Sequence, residues 1–68
     1  MTKFTETILN RIILKRKSLS YSQEYIAYKL GICQEAYGKI ERGQTELTTN
    51  RLYKIAEVLD IDVLTLII

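Results

Sequence analysis

Sixty-eight residues allow one domain and no more. A chain that short buries only about 60% of the surface its unfolded form exposes, so most of it has to contribute to a core. Apolar residues at 47%, charged residues at 26%, no proline and three glycines fit short helices joined by tight turns and exclude a loop-rich or disordered architecture. A single cysteine, Cys33, and no histidine exclude an intramolecular disulfide framework and a His-containing zinc site, so no metal or cofactor is expected and a reducing cytoplasm is the expected setting. No run of about 18 apolar residues and no signal-type apolar segment occurs, so neither membrane spanning nor export is expected. The net charge of +2 does not identify a nucleic-acid partner. Its distribution is uneven, basic at Arg11, Lys15, Arg16 and Lys17 and acidic at Glu57, Asp60 and Asp62, which ordinary solvated helix faces explain as well as a binding face does.

In chain order, Phe4, Ile8, Leu9, Ile12 and Ile13 recur at three- and four-residue spacing and predict an amphipathic first helix over 4–17. Ser22 is a good N-cap, Glu24 complements the helix dipole and Tyr21 can staple onto Ile26, so a second helix is expected from Gln23 to Leu30. Gly31 ends it in a left-handed residue. With Cys33 as N-cap and Ile32 stapling onto Tyr37, a third helix is expected from Gln34 to Arg42, ended by Gly43. Thr48 caps a fourth helix, onto which Leu47 staples at Leu52, with Leu52, Ile55, Ala56 and Leu59 as its buried stripe. Asp62 can cap a short fifth helix through the apolar run Val63–Ile68; the β-branched content also permits a strand, and the helix is preferred. The predicted fold is therefore all-α, a compact bundle of five short helices forming a single domain over 1–68.

The informative segment is QEYIAYKLGICQEAYGKIERG, residues 23–43. Two helices crossing over a three- or four-residue turn need a small side chain where they come closest, supplied by Ala27, and a residue tolerant of positive φ in the turn, supplied by Gly31. The apolar residues Ile26, Leu30, Ile32, Tyr37 and Ile40 interlock around them, with Tyr37 and Ile40 on the second helix closing the wedge. Together with Ser22-Gln23, the run Tyr37-Gly38-Lys39-Ile40-Glu41-Arg42-Gly43, and Leu52 to Leu59, this segment resembles the helix-turn-helix domains of phage repressors and Cro proteins, over about residues 8–66.

That resemblance implies a lambda-repressor-like bundle in which helices two and three form the helix-turn-helix. It also implies an ion pair between Arg16, late in helix one, and Glu41 at the end of helix three. With helix three as the recognition helix, Gln34, Glu35, Gly38 and Lys39 are the candidate base contacts. Gln34 can hold adenine, Lys39 can donate to guanine, and Glu35 either accepts from cytosine or faces away. Gly38 in mid-helix costs about 1 kcal/mol relative to alanine and marks either close approach of the backbone to DNA or an indifferent surface. Candidate phosphate contacts are Ser22 and Gln23 at the start of helix two, Arg42 and Gln44 beyond helix three, and Lys17. Arg51 and Lys54 are read as solvated charges.

Five tyrosines without an interleaved basic groove read as staples and core, not as stacking platforms for single strands. Without a histidine, and with carboxylates placed as caps, surface charges or the Arg16 partner, no acid-base or nucleophilic constellation is present, so an enzyme is not expected. The expected function is sequence-specific binding of double-stranded DNA by a transcriptional regulator, most simply a repressor. The alternative is a protein-interaction or antitoxin-like module on the same fold, which Glu35 and the small net charge favour. Leu66, Ile67 and Ile68 either pack on helix one, form a two-fold dimer seam or mark a cut in a longer chain. The dimer is preferred, and a dimer implies a pseudo-palindromic operator.

Overall fold

In a computed structural model that describes residues 2–68, five helices follow one another and no strand is present among the described residues. They are α1 (Lys3–Ser18), α2 (Gln23–Leu30), α3 (Gln34–Glu41), α4 (Thr49–Val58) and α5 (Leu64–Ile67). α2 packs on α3 and α4, while α1 packs on α3 and α5. Hydroxyl caps start three of them. Thr2 accepts from the Thr5 amide, Ser22 from Tyr25 and Thr48 from Arg51. The α5 turn begins where the Asp62 carboxylate accepts from the Leu64 amide at 2.9 Å.

Four helices stop by one device. After α2, the Gly31 and Ile32 amides donate back to Tyr28 and Ala27, and after α3 those of Gly43 and Gln44 donate to Ile40 and Lys39. The same paired bonds follow α1, through Ser20 and Tyr21, and α4, through Asp60 and Ile61. Each is a Schellman turn, and each needs a left-handed residue at its corner. Gly31 and Gly43 adopt φ of 75° and 74° without a Cβ penalty, whereas Ser20 at 61° and Asp60 at 57° carry side chains there.

The core is one cluster drawn from every helix: Ile8, Leu9 and Ile12 of α1, Ile26 and Ala27 of α2, Tyr37 and Ile40 of α3, Leu52, Ile55 and Ala56 of α4, Leu59, and Leu66 of α5. Full burial of each large aliphatic side chain contributes about 1.5–3 kcal/mol. Tyr21, Ile32 and Leu47, the residues just before the caps, are half-buried against this cluster. Two expectations need correction. Phe4, assigned to the α1 stripe, is 59% exposed, because the buried row begins one turn later at Ile8. Leu66, assigned to a dimer seam, is only 2% exposed and belongs to this chain's own core, where the Arg11 guanidinium also donates to its carbonyl at 3.1 Å. Of the expected seam, Ile67 is half-buried and Ile68 is 84% exposed. No helix of the described residues is long and apolar enough to cross a membrane.

Candidate nucleic-acid interface

α2 and α3 are joined by the three-residue Gly31 turn, and Ile26 and Ala27 of the first share the core with Tyr37 and Ile40 of the second. α3 thereby keeps one face inside and turns the other out. Gln34, Glu35 and Lys39 are exposed on it, followed beyond its end by Arg42 and Gln44. α3 also starts without a side-chain cap: Cys33 occupies the N-cap position, its thiol is exposed and unbonded, and the first amides of the helix have no side-chain acceptor. A helix start of this kind presents hydrogen-bond donors and the positive end of the dipole.

The other end of α3 is anchored. Arg16 donates through Nε and Nη2 to both carboxylate oxygens of Glu41, at 2.7 and 3.1 Å, with the two side chains only 9% and 3% exposed. Nη1 of the same guanidinium donates to the Tyr21 carbonyl at 2.9 Å, and the Gln23 amide nitrogen donates to Glu41 Oε1 at 2.9 Å. One carboxylate thus ties the end of α1, the start of α2 and the end of α3 together. Burial pushes the Glu41 carboxyl up, but the hydrogen bonds from Arg16 above all, with that from Gln23, outweigh burial and hold it below the usual carboxylate range. Its carboxylate in turn raises the Arg16 guanidinium. The buried Tyr37 hydroxyl lies beside this pair, near enough to favour the ionised carboxylate, but makes no hydrogen bond of good geometry. Burial, then the adjacent carboxylate, pushes its ionisation up from the ordinary tyrosine value.

The sequence-predicted site residues fall into three groups. Gln34, Glu35 and Lys39 share the outer face of α3 with Arg42 and Gln44 just beyond it, and Arg42 Nε donates to the Gln44 side-chain oxygen at 3.2 Å. Lys17 is exposed in the last turn of α1, and Ser22 is exposed with its hydroxyl committed to capping α2. Gln23 and Gly38 are placed otherwise. Gln23 is half-buried with its amide nitrogen engaged by Glu41. Gly38 is buried, because Arg42 Nη1 lies 3.0 Å and Gln23 Oε1 3.4 Å from where a Cβ would stand. The Gly38 backbone, expected as an open face, is therefore covered by two side chains.

Sequence reasoning missed the Gln23–Glu41 bond, which depends on tertiary approach and has no local signature. The position of Arg42 over Gly38 did have one, since residues four apart share a helix face. It also missed that Thr45 and Glu46 line a groove with Glu35, Lys39 and Arg51, setting two carboxylates beside two cations next to the exposed face.

Two helices joined by a tight glycine turn, the second displaying a polar outer face from a buried anchor, define a helix-turn-helix. The family model for helix-turn-helix domains of the Cro/C1 type matches residues 12–66, and the chain belongs to that family, which is one of DNA-binding transcription regulators. Neither a curated protein nor a solved structure matches the chain.

Proposed function

We propose that this domain recognises a specific double-stranded DNA operator by laying α3 in the major groove, and that it represses transcription by occupying that site. The observation that carries the reading is the division of α3: its outer face presents Gln34, Glu35 and Lys39 to solvent while its C-terminal end is clamped from the inner side by the pair Arg16 and Glu41. A reading helix has to be polar outside and rigidly held, and both conditions are met. Gln34 is the adenine reader and Lys39 the guanine donor, each contributing about 1–3 kcal/mol of discrimination, while Glu35 selects cytosine. Lys17, Ser22, Gln23 and Gln44 provide phosphate contacts that set the register without reading sequence, the first two from exposed positions flanking the start of α2. Arg42 adds charge at the same edge. Repression needs nothing beyond occupancy of the operator.

Two copies would place their recognition helices about 34–36 Å apart on a pseudo-palindromic site. With Leu66 committed to the core, the pairing surface reduces to Ile68, Ile67 and the exposed Leu64. An exposed unpaired thiol at Cys33 suits a reducing, cytoplasmic setting.

Selection of bound duplexes from a randomised pool at about 150 mM salt, run for the wild type and for a Gln34→Ala, Lys39→Ala double variant, tests this reading. The expected result is a two-fold symmetric motif with half-sites one helical turn apart, lost in the variant. Binding without an enriched motif that vanishes at this salt would replace the reading with a protein-interaction module, for which Glu35 and Glu46 beside Lys39 supply the acidic surface.

A further inference from the structure

The outer row of α3 contains a gap that a residue from beyond the helix fills. Gln34, Gly38 and Arg42 stand four residues apart and so lie one above another on the same face. The middle member has no side chain. Helical side chains lean toward the N-terminus and cover the turn before their own Cα, and Arg42 does this: its Nη1 comes within 3.0 Å of the point where a Gly38 Cβ would be. Arg42 Nε is held by the Gln44 side-chain oxygen at 3.2 Å, which fixes the plane of the group. Among the described residues that is the only hydrogen bond the Arg42 side chain makes, and it forms no ion pair. The Nη1–Nη2 edge is left with its donors free.

We infer that Arg42 is a specificity-determining residue that reads guanine in the major groove, using the space that the missing side chain at Gly38 leaves on the recognition face. This rests on the proposed reading of DNA by α3. A phosphate contact asks only for a positive charge extended toward the strand. A guanidinium folded back along the reading row, over a glycine, with its bidentate edge unspent, has the geometry for guanine O6 and N7. The mid-helix glycine, unfavourable for the helix by itself, then has a function: it is the seat for the arginine. The row delivers two readers, Gln34 and Arg42, on either side of a position with none.

The test compares wild type, Arg42→Ala, Arg42→Lys and Gly38→Ala by duplex selection and by competition between the selected site and its single-base variants, with thermal melts of each protein. Arg42→Ala is expected to lose discrimination at one G·C pair per half-site by roughly 5- to 150-fold, with the other positions unchanged. Arg42→Lys keeps the charge and is expected to lose most of that discrimination, because an ammonium lacks the fork. Gly38→Ala displaces the guanidinium and is expected to relax the same base pair, with a Tm equal to or above that of the wild type because alanine is the better helix former. Uniform weakening across all sequences by Arg42→Ala, with the salt slope reduced by about one and Arg42→Lys behaving as wild type, makes Arg42 a phosphate contact and overturns this inference alone. A wild type that selects no motif overturns the DNA-reading function and this inference with it.

Discussion

The two ends of α3 are built on opposite terms. At its C-terminal end the buried groups are paired: Glu41 takes two bonds from Arg16 and one from Gln23, and the Gly43 turn returns two amides to the helix carbonyls. At its N-terminal end little is. Cys33 provides no cap, and Gln34 and Glu35 stand in solvent without internal partners among the described residues. A helix could be stabilised at both ends, and α4, capped by Thr48 and closed by a Schellman turn, shows the same chain doing so. The contrast teaches that α3 is fixed in place by a buried anchor at its far end, while its near end leaves donors and acceptors without internal partners.

Breaking the anchored end has the largest expected effect. Glu41→Ala or Arg16→Ala leaves a buried charge unpaired and should cost about 3–5 kcal/mol, a fall in Tm of more than 10 °C at roughly 4–8 °C per kcal/mol for a domain of this size. A melt within a degree of wild type would show the clamp to be ornamental. The same end gives a pH signature. Because the Glu41 carboxyl is lower in the folded protein than its ordinary value of 4.5, its stabilisation is complete above that pH and is lost as pH falls through the lowered folded value. Acid melts should therefore show a loss of stability below pH 4.5 that Glu41→Gln, weaker from the outset, does not share.

Repairing the open end should produce a smaller change of opposite sign. Cys33→Ser supplies the missing acceptor for the first turn of α3 and is expected to stabilise the fold by about 1 kcal/mol; a chemical-denaturation midpoint that fails to rise would mean the α3 amides are already satisfied by water. Smallest of all, Tyr37→Phe removes a buried hydroxyl that has no hydrogen-bond partner. It should leave stability unchanged or raise it by up to about 1 kcal/mol, since an unsatisfied buried group is costly and its apolar replacement is not. A clear loss of stability would show that the hydroxyl supports the Arg16–Glu41 pair. The variant should also remove the destabilisation expected above pH 10, where the unfolded tyrosine ionises and the buried one, pushed upward, does not.

Local chemistry made most helix limits legible. Ser22 and Thr48 are hydroxyl caps that can act only at a helix start, and Gly31 and Gly43 permit the left-handed corner that ends one, so α2, α3 and α4 can be placed from neighbours in the sequence alone. The corners at Ser20 and Asp60 are less legible, because serine rarely adopts a positive φ and aspartate does so only more often than most residues, far short of glycine. The outer face of α3 was likewise readable as a period of 3.6 over Gln34, Glu35 and Lys39, and the resemblance to phage repressors pointed to Arg16 and Glu41 as partners.

What the chain could determine by itself is whatever acts over three or four residues: caps, C-terminal turns, the buried stripes of α1 and α4, and the polar outer face of α3. Tertiary structure alone decided the contacts between segments far apart in sequence. Phe4 has the right spacing for the core but no neighbouring element to cover it, while Leu66, an apolar residue near the end of the chain, finds α1 and is buried. Gln23, a surface residue by type, is drawn inward by a carboxylate 18 positions away, and with Arg42 it covers the glycine that sequence reading left open. The physical reason is that burial and ion pairing depend on what lies across the interface, and periodicity states which face a residue occupies without stating what that face meets.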